Sequence, residues 1–373
     1  MLLYTTQTKG NGNMSSTTDE TAEEPPIAQA DFERVTTIVT AEFQVDEALM
    51  EHGIPTYHLK QPQETKRPFL KVLKSLEAMN LIAILRRIDG KVVLRVVSKP
   101  PVKPSNIMIN WILFLATIAT TFVTGYMLSP DVIDPLVGGV SFTVAMLAVL
   151  GTHEMGHKLT ANKKGIDATL PYFIPGPPPF GTFGAVIMQK SLPPNRDALF
   201  DVGADGPIAG FIVATIVSII GLTMLIPSPP SVPASPIGEP FLWILLGRLL
   251  ESLNMIPQAP QNWALLLHPI AFAGWVGIVV TMLNLLPAAM LDGGHVARSL
   301  AGEKLRIVLA VLSISFLVYE GFIPMAILVF FMSMYRHPGP LDDVSSLSTS
   351  RKLLTVGLIG IFVLCVFPVS PPF

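Results

Sequence analysis

The sequence predicts an all-α polytopic membrane protein that carries a small soluble α+β domain at its N-terminal end. Two observations predict this fold class. Only 14% of the 373 residues are charged, whereas a soluble globular protein carries about 25% charged residues. Four long stretches also contain no Asp, Glu, Lys or Arg, namely residues 107–128, 135–152, 206–238 and 252–291. Since a helix crosses the hydrocarbon layer with about 20 apolar residues, we expect the chain to span a membrane.

The first part of the chain is expected to contain a tail and a small domain. Residues 1–30 are polar and acidic, without the apolar core of a signal peptide or the Arg-rich character of a transit peptide. We therefore expect a disordered acidic tail. Residues 31–104 are expected to form a cytosolic α+β domain. Its signals are helical apolar spacing over residues 67–80, a strand near residues 56–59, and two β-rich runs around the Asp-Gly pair at 89–90, which predict a hairpin.

The second half of this domain is basic. Residues 60–103 hold eleven Lys or Arg and three acidic residues. Basic patches are often found in nucleic-acid-binding proteins. This one, however, ends directly at the first apolar segment, where basic residues mark the cytoplasmic side and attract anionic lipid. We therefore expect anionic lipid as a partner of this domain, and no nucleic acid.

The remaining residues, 105–373, are expected to form a membrane-embedded domain with about six to eight transmembrane helices. With the N-terminus inside, eleven of the twelve Lys and Arg after residue 105 lie on the inner side, and only Arg248 lies outside. This is the asymmetry that the positive-inside rule predicts. If residues 305–335 formed one helix, the Lys and Arg residues that follow it would lie on the outer side and this asymmetry would be weakened. The asymmetry therefore favours a helical hairpin there. The apolar segments of this layout are residues 107–128, 136–161, 202–226, 263–287, 305–319, 321–335 and 353–367.

His153-Glu154-Met155-Gly156-His157 is an H-E-x-x-H motif near the end of the second segment. In a helix, residues four apart lie on one face, so His153 and His157 can present ring nitrogens to one metal ion. Glu154 can hold a water molecule and accept its proton, which is the chemistry of a zinc peptidase. Ionisable residues deep in a membrane segment are costly and are by default functional. The alternative is a pair of packed histidines with a capping Glu.

A catalytic zinc site needs a third protein ligand. Asp292 is the best candidate among the downstream acidic residues, because it ends a long apolar run at about the depth of His157. Pro287 and Gly293-Gly294 are expected to break the helix there. At membrane depth such a break is tolerated only where the backbone is buried in protein or lines a polar cavity. The alternative is an Asp-Gly turn at the membrane edge.

The two motifs together resemble the site-2 protease family of intramembrane zinc metallopeptidases. The family's second motif is N-x-x-P-x-x-x-x-D-G, and residues 284–293 match every fixed position. The resemblance implies one zinc ion per chain and a three-helix catalytic core at about residues 136–295 with a re-entrant, β-type loop. The residues to which it assigns roles are His153, His157 and Asp292 as zinc ligands, Glu154 as the catalytic acid/base, and Asn284 beside the substrate carbonyl or the developing oxyanion.

Two further stretches resemble parts of the same family. Residues 175–187 resemble the loop after the zinc helix, where the β-prone residues 185–187 offer an edge to which a substrate adds as a strand. The alternative is a Pro-rich connection. Residues 205–210 resemble the small-residue start of the third core segment, for which packing alone is the expected role. The basic domain and the Pro-rich loop at 227–240 make the chain look closest to archaeal and plant chloroplast members.

The resemblance therefore implies an endopeptidase that hydrolyses peptide bonds in transmembrane segments of other membrane proteins. We expect it in a prokaryotic cell membrane, archaeal or bacterial, with a cytoplasmic N-terminus. Two other functions remain open. A metal transporter would use the same ligands without needing Glu154 as a base. Another H-E-x-x-H peptidase lineage would take a Glu as third ligand, with Glu251 as the candidate. The oligomeric state and the role of His295 are left open as well.

Overall fold

The structure, a computed structural model, describes residues 2–4, 29–101, 104–230, 238–335 and 337–368. Most of the predicted disordered tail, residues 1–30, lies outside the described residues. The same is true of Arg336, which the predicted layout assigns to the inner side. The first described residues differ from the prediction, because they form a short strand, β1 (Leu2–Tyr4).

Residues 29–98 form an antiparallel sheet with two helices and a hydrophobic core of their own. In chain order the elements are α1 (Gln29–Glu42), β2 (Val45–Glu51), β3 (Ile54–Leu59), α2 (Lys66–Glu77), β4 (Leu81–Ile88) and β5 (Lys91–Ser98). The strand order is β2-β3-β5-β4. Asp89 (φ 48°) and Gly90 (φ 82°) both have left-handed backbone conformations, as a two-residue type I′ hairpin requires. Helix α2, strand β3 and the β4–β5 hairpin match predicted elements, whereas α1 and β2 are absent from the prediction.

The rest of the chain is mainly helical. Its elements are α3 (Ile107–Met127), α4 (Pro135–Lys163), β6 (Tyr172–Pro175), β7 (Thr182–Gln189), α5 (Arg196–Thr223), β8 (Ile226–Ser228), α6 (Phe241–Ser252), β9 (Ala264–Leu266), α7 (Pro269–Leu285), α8 (Asp292–Tyr319), α9 (Ile323–Ser333) and α10 (Thr349–Cys365). Among the described residues, helices α3, α4 and α5 are long and apolar enough to cross a membrane. Helix α7, the Leu305–Tyr319 part of α8, and α9 are apolar but shorter. The chain is therefore a membrane protein.

Two segment boundaries differ from the prediction. Helix α5 begins at Arg196 rather than near residue 202, because the Asn195 side chain caps it by accepting the N–H of Ala198 at 2.9 Å. The segment predicted at 263–287 begins as strand β9, which pairs with β8. It becomes helical only at Pro269, which occupies the first turn, where its missing N–H has no intrahelical partner to lose.

Strand β7 lies at the centre of a small sheet in the connection between α4 and α5. It pairs antiparallel with β6 on one side. On the other side it pairs in parallel with β1, with Leu2 opposite Ile187. The stretch that the sequence predicts to contain a β-type loop therefore holds a strand with both edges engaged.

Helices α4, α5 and α7 approach each other closely at positions where one of the two facing helices has a glycine. A Cβ atom on Gly221 of α5 would lie 2.3 Å from the Cα atom of Ala271 on α7. A Cβ atom on Gly277 of α7 would lie 2.8 Å from a methyl group of Val149 on α4. Larger residues would force the helices apart, so the small ones set the interhelical distance.

The connector between α9 and α10, residues 337–348, joins the N-terminal sheet to the helices. Leu341, 5% exposed, packs into the core of that sheet, and its carbonyl oxygen accepts a backbone N–H of β4. Asp343 accepts hydrogen bonds from Arg298 on α8 and Arg196 on α5. Burial opposes ionisation of Asp343, but the hydrogen bonds and charge of Arg298, with Arg196, outweigh it and lower the pKa of its carboxyl group.

Candidate metal centre

Helix α4 directs two histidines toward one point. Asp134 caps the helix by accepting the N–H of Leu136 at 2.8 Å, and Pro135 occupies the first helical turn. The helix then continues through the H-E-x-x-H motif without a break. His153 and His157 lie one turn apart, and their Nε2 atoms are 3.1 Å from each other. Both residues are buried, with exposed fractions of 2% and 0%.

Asp292 reaches the same point from another helix. It is the first residue of α8 and is fully buried. Its Oδ2 atom lies 3.2 Å from Nε2 of His153 and 3.3 Å from Nε2 of His157. The structure thus brings together the three side chains that the sequence predicts as metal ligands, although 139 positions separate His153 from Asp292.

The helix break beside Asp292 is not where the sequence predicts it. The irregular backbone comprises residues 286–291, which include Pro287, whereas Gly293 and Gly294 are helical and belong to the first turn of α8. The prediction is therefore wrong for the two glycines. Their role is to leave space, because a Cβ atom on either would lie within 2.5 Å of a carbonyl oxygen of the preceding backbone. This close approach lets the 286–291 turn fold against α8 and direct Asp292 toward α4.

The three converging atoms have the spacing of a metal-ligand set. In a tetrahedral zinc site with bonds of about 2.0–2.1 Å, two ligand atoms lie about 3.3 Å apart. The corresponding distances here are 3.1, 3.2 and 3.3 Å. Within the described part of the chain, the other carboxylate oxygen of Asp292, Oδ1, is buried and has no hydrogen-bond partner. Two imidazoles and a carboxylate with this geometry fit a divalent metal ion.

Helix α5 orients His157 and leaves room for both rings. Nδ1 of His157 lies 2.6 Å from the carbonyl oxygen of Val202. Because a carbonyl only accepts, Nδ1 carries the proton and Nε2 keeps its lone pair for a metal. A Cβ atom on Gly206 would lie 2.1 Å from Nε2 of His157, and one on Gly210 would lie 2.9 Å from Nδ1 of His153. The two rings can hold their places only if α5 has no side chain at these positions.

Glu154 and Asn284 lie close to the same centre. Glu154 follows His153 on α4 and is 2% exposed. Asn284, near the end of α7, has its amide nitrogen 3.3 Å from Nε2 of His153. Glu251, the candidate ligand of the alternative peptidase lineage, is exposed on α6 and is not a member of the ligand cluster found among the described residues.

His295, one turn after Asp292, contacts the connector. Its Nδ1 atom is 2.7 Å from Nε2 of His337. Nδ1 of His337 in turn accepts the N–H of Gly339 at 3.0 Å, so Nε2 of a neutral His337 carries the proton and donates to His295. The side chain of His295 is therefore tied to the connector.

The sequence did not reveal every contributor to this centre. The carbonyl of Val202 carries no side-chain signal, and the partner of His295 lies in a distant connector. Gly206 and Gly210 were expected to serve packing alone, but what they pack against is the pair of ligand rings. A usable signal exists for them, because these glycines and the two histidines have the same four-residue spacing on helices that pack against each other.

Replacing Gly206 by Ala is expected to reduce metal retention severely, because the added methyl group would overlap the ring of His157. The protein, purified in detergent and analysed for metal by mass spectrometry, should hold well under one ion per chain. Gly247→Ala on α6 is the matched control, since a Cβ atom there meets nothing within 4 Å. Equal metal content in the two variants would contradict the role assigned to Gly206.

Comparison with known proteins places this centre in a family. Residues 141–327, about half of the chain, match Peptidase family M50. The chain is 30% identical over 256 residues to "Probable zinc metalloprotease EGY2, chloroplastic" of Arabidopsis thaliana, which covers 65% of this chain and 44% of that protein. It is 28% identical over 311 residues to "Probable zinc metalloprotease EGY1, chloroplastic" of the same species, which covers 73% and 55%.

The chain spans about half the length of these curated relatives. No solved structure matches it. The range of this chain that matches the family model includes both motifs and all five predicted site residues. The matched family is also the one that the two motifs resemble. The chain therefore belongs to peptidase family M50, the site-2 protease family.

Proposed function

We propose that this protein is an intramembrane zinc metalloendopeptidase with one zinc ion held by His153, His157 and Asp292. The observation that carries the proposal is the convergence of three ligand atoms, each within 3.3 Å of the others. They meet at a buried point beside a helix that is long and apolar enough to cross a membrane. The relatives' names, which describe zinc metalloproteases, support zinc as the metal.

The side chains around the ligands supply the other parts of a hydrolysis. When bound, zinc supplies the Lewis acidity that prepares water for attack on a peptide carbonyl. Glu154, buried beside the ligands, accepts a proton from the attacking water and returns it to the leaving amine. The amide of Asn284 donates an N–H to the carbonyl oxygen as negative charge develops on it.

The proposed substrate is a transmembrane segment of another membrane protein. The carbonyl groups of a helix are engaged in its own hydrogen bonds, so the segment must unwind before attack. Strand β7 supports this step. Its edge opposite β6 already pairs in parallel with an extended segment, residues 2–4 of the same chain. An unwound substrate would take the same place and add to the sheet as a strand.

The membrane layout is part of the proposal. It comprises about six to eight spans, a cytosolic domain at residues 31–104, and a membrane domain at 105–373 with its catalytic core at about 136–295. The Lys and Arg asymmetry supports an inner N-terminus, and the basic second half of the soluble domain would lie against anionic lipid. A prokaryotic cell membrane stays a prediction, since the relatives above are named as chloroplastic.

Replacing Glu154 by Gln should keep the fold and the zinc content but lower the cleavage rate by about 10²- to 10⁴-fold, because Gln cannot accept the proton of water. The measurement is cleavage of a panel of single-span substrates in detergent, with metal analysis of the same preparations. Near-parental cleavage by the variant would remove Glu154 from the role of base. If neither protein cleaves and both carry metal ions into vesicles, the chain is a metal transporter.

Asp292→Ala and Glu251→Ala separate this proposal from the other peptidase lineage. Loss of one of three protein ligands should weaken zinc binding severely, so Asp292→Ala should hold much less than one zinc per chain and be inactive. Glu251→Ala should keep both zinc and activity, since Glu251 is exposed on α6. The reverse pattern of zinc loss would make Glu251 the ligand.

The orientation can be tested with single cysteines in a Cys365→Ser background. Asp131→Cys, in the exposed loop between α3 and α4, should react with an impermeant maleimide added to intact cells. Lys163→Cys, at the exposed end of α4, should react only after the cells are opened. Labelling in the opposite order would place the N-terminus, and the end of α4 that follows the H-E-x-x-H motif, on the outer side.

A further inference from the structure

The connector, residues 337–348, contacts α8, the helix that carries Asp292, at two points. The first is the contact of His337 with His295, at 2.7 Å. The second is a two-pronged ion pair in which Arg298 donates Nη1–H to Oδ1 of Asp343 at 3.1 Å and Nη2–H to Oδ2 at 2.6 Å. Paired hydrogen bonds of this kind fix both distance and direction. The contacts lie three and six residues after Asp292, on one side of its helix.

The same connector is also part of the soluble domain. The N–H of Leu85 on β4 donates to the carbonyl of Leu341 at 2.9 Å, and the N–H of Asp343 donates to the carbonyl of Leu85 at 3.2 Å. Arg86 adds a hydrogen bond from Nη1 to the Leu341 carbonyl at 2.7 Å. With the Leu341 side chain in the core of the N-terminal sheet, the connector moves with that sheet.

A second link runs from the soluble domain to α5. The Nζ atom of Lys66 on α2 lies 3.1 Å from Oδ2 of Asp197 in the first turn of α5. Asp197 also accepts the N–H of Ser348, at the end of the connector, at 2.9 Å. Helix α5 supplies the Val202 carbonyl that orients His157. The soluble domain therefore contacts α5, which orients His157, and, through the connector, α8, which carries Asp292.

The segment of α8 that carries Asp292 is short. A kink at Gly302 (φ 73°) separates residues 292–301 from the apolar remainder of the helix, Leu305–Tyr319. On the other side lies the irregular turn at 286–291. Because this segment is not continuous with a long helix on either side, its orientation depends on lateral contacts, and the Arg298–Asp343 ion pair is one of them.

We propose that Asp343 is a positioning residue for the metal centre, and that through it the N-terminal domain controls how well the centre binds its metal. The inference rests on the proposed function, since it assumes that the centre binds zinc. Ligand atoms must lie within about 0.2 Å of ideal distances, so a small rotation of residues 292–301 is enough to weaken binding. A partner that pulls the soluble domain away would therefore lower the activity.

Metal affinity is the direct test, measured by competition with a chelator on the full-length protein. Asp343→Asn removes the charge and leaves two guanidinium groups facing a neutral amide, and it should weaken zinc binding by about tenfold or more. Asp343→Glu, which keeps the charge, should restore most of the affinity. Glu42→Gln is the control, because it breaks the 3.0 Å pair with Lys71 inside the soluble domain and touches neither the connector nor α8.

A second pair of variants separates positioning from general stability. Leu341→Ala and Leu76→Ala each remove a buried side chain from the same core, but only Leu341 belongs to the connector. We expect weaker zinc binding in Leu341→Ala alone, at similar losses of thermal stability. If Asp343→Asn does not fold, the comparison of Leu341→Ala with Leu76→Ala tests the inference in its place. Parental affinity in Leu341→Ala, or equal loss in both variants, would overturn the inference. A parental protein that binds no zinc would instead overturn the proposed function.

Discussion

The buried carboxylate of Asp292 imposes the main constraint on this structure. An ionised carboxylate taken out of water costs several kcal/mol unless opposite charge and hydrogen bonds compensate. Asp292 is fully buried, and its Oδ2 atom lies 3.2 Å from Nε2 of His153 and 3.3 Å from Nε2 of His157. A divalent cation at their common centre would be the strongest compensation available. Helices α4 and α8 must therefore hold their ligands at a fixed separation, and the neighbouring elements serve that requirement.

Small residues satisfy this requirement inside the helix bundle. Between helices in a membrane, association depends on close packing rather than on expulsion of water. Gly206 and Gly210 let α5 pass directly over the two rings, and the carbonyl of Val202 fixes the direction of one of them. On the far side, Gly293 and Gly294 let the 286–291 turn approach α8. The same backbone proximity thus provides both packing and ligand orientation.

Charged residues satisfy the requirement at the end of the bundle that contacts the N-terminal domain. Asp343 lies between Arg196 and Arg298, which belong to two different helices, and the burial cost of each charge is offset by the others. The connector that holds Asp343 pairs in parallel alongside strand β4 of the N-terminal domain through backbone hydrogen bonds. The N-terminal domain is consequently part of the framework around the metal centre, and its position and the geometry of the ligands are linked by direct contacts.

The sequence by itself determined the features that depend on local periodicity and local chemistry. Four-residue spacing places His153 and His157 on one face of a helix, the Asp-Gly pair at 89–90 predicts its hairpin, and long uncharged stretches predict membrane helices. Asp292 could be predicted because only a few acidic residues lie near an apolar run. The tertiary structure alone decided the Val202 carbonyl contact, which ligand ring Gly206 faces, and the pairing of Arg298 with Asp343. These depend on which helix faces are brought together across long chain separations, and hydrophobic periodicity marks a buried face without specifying its partner.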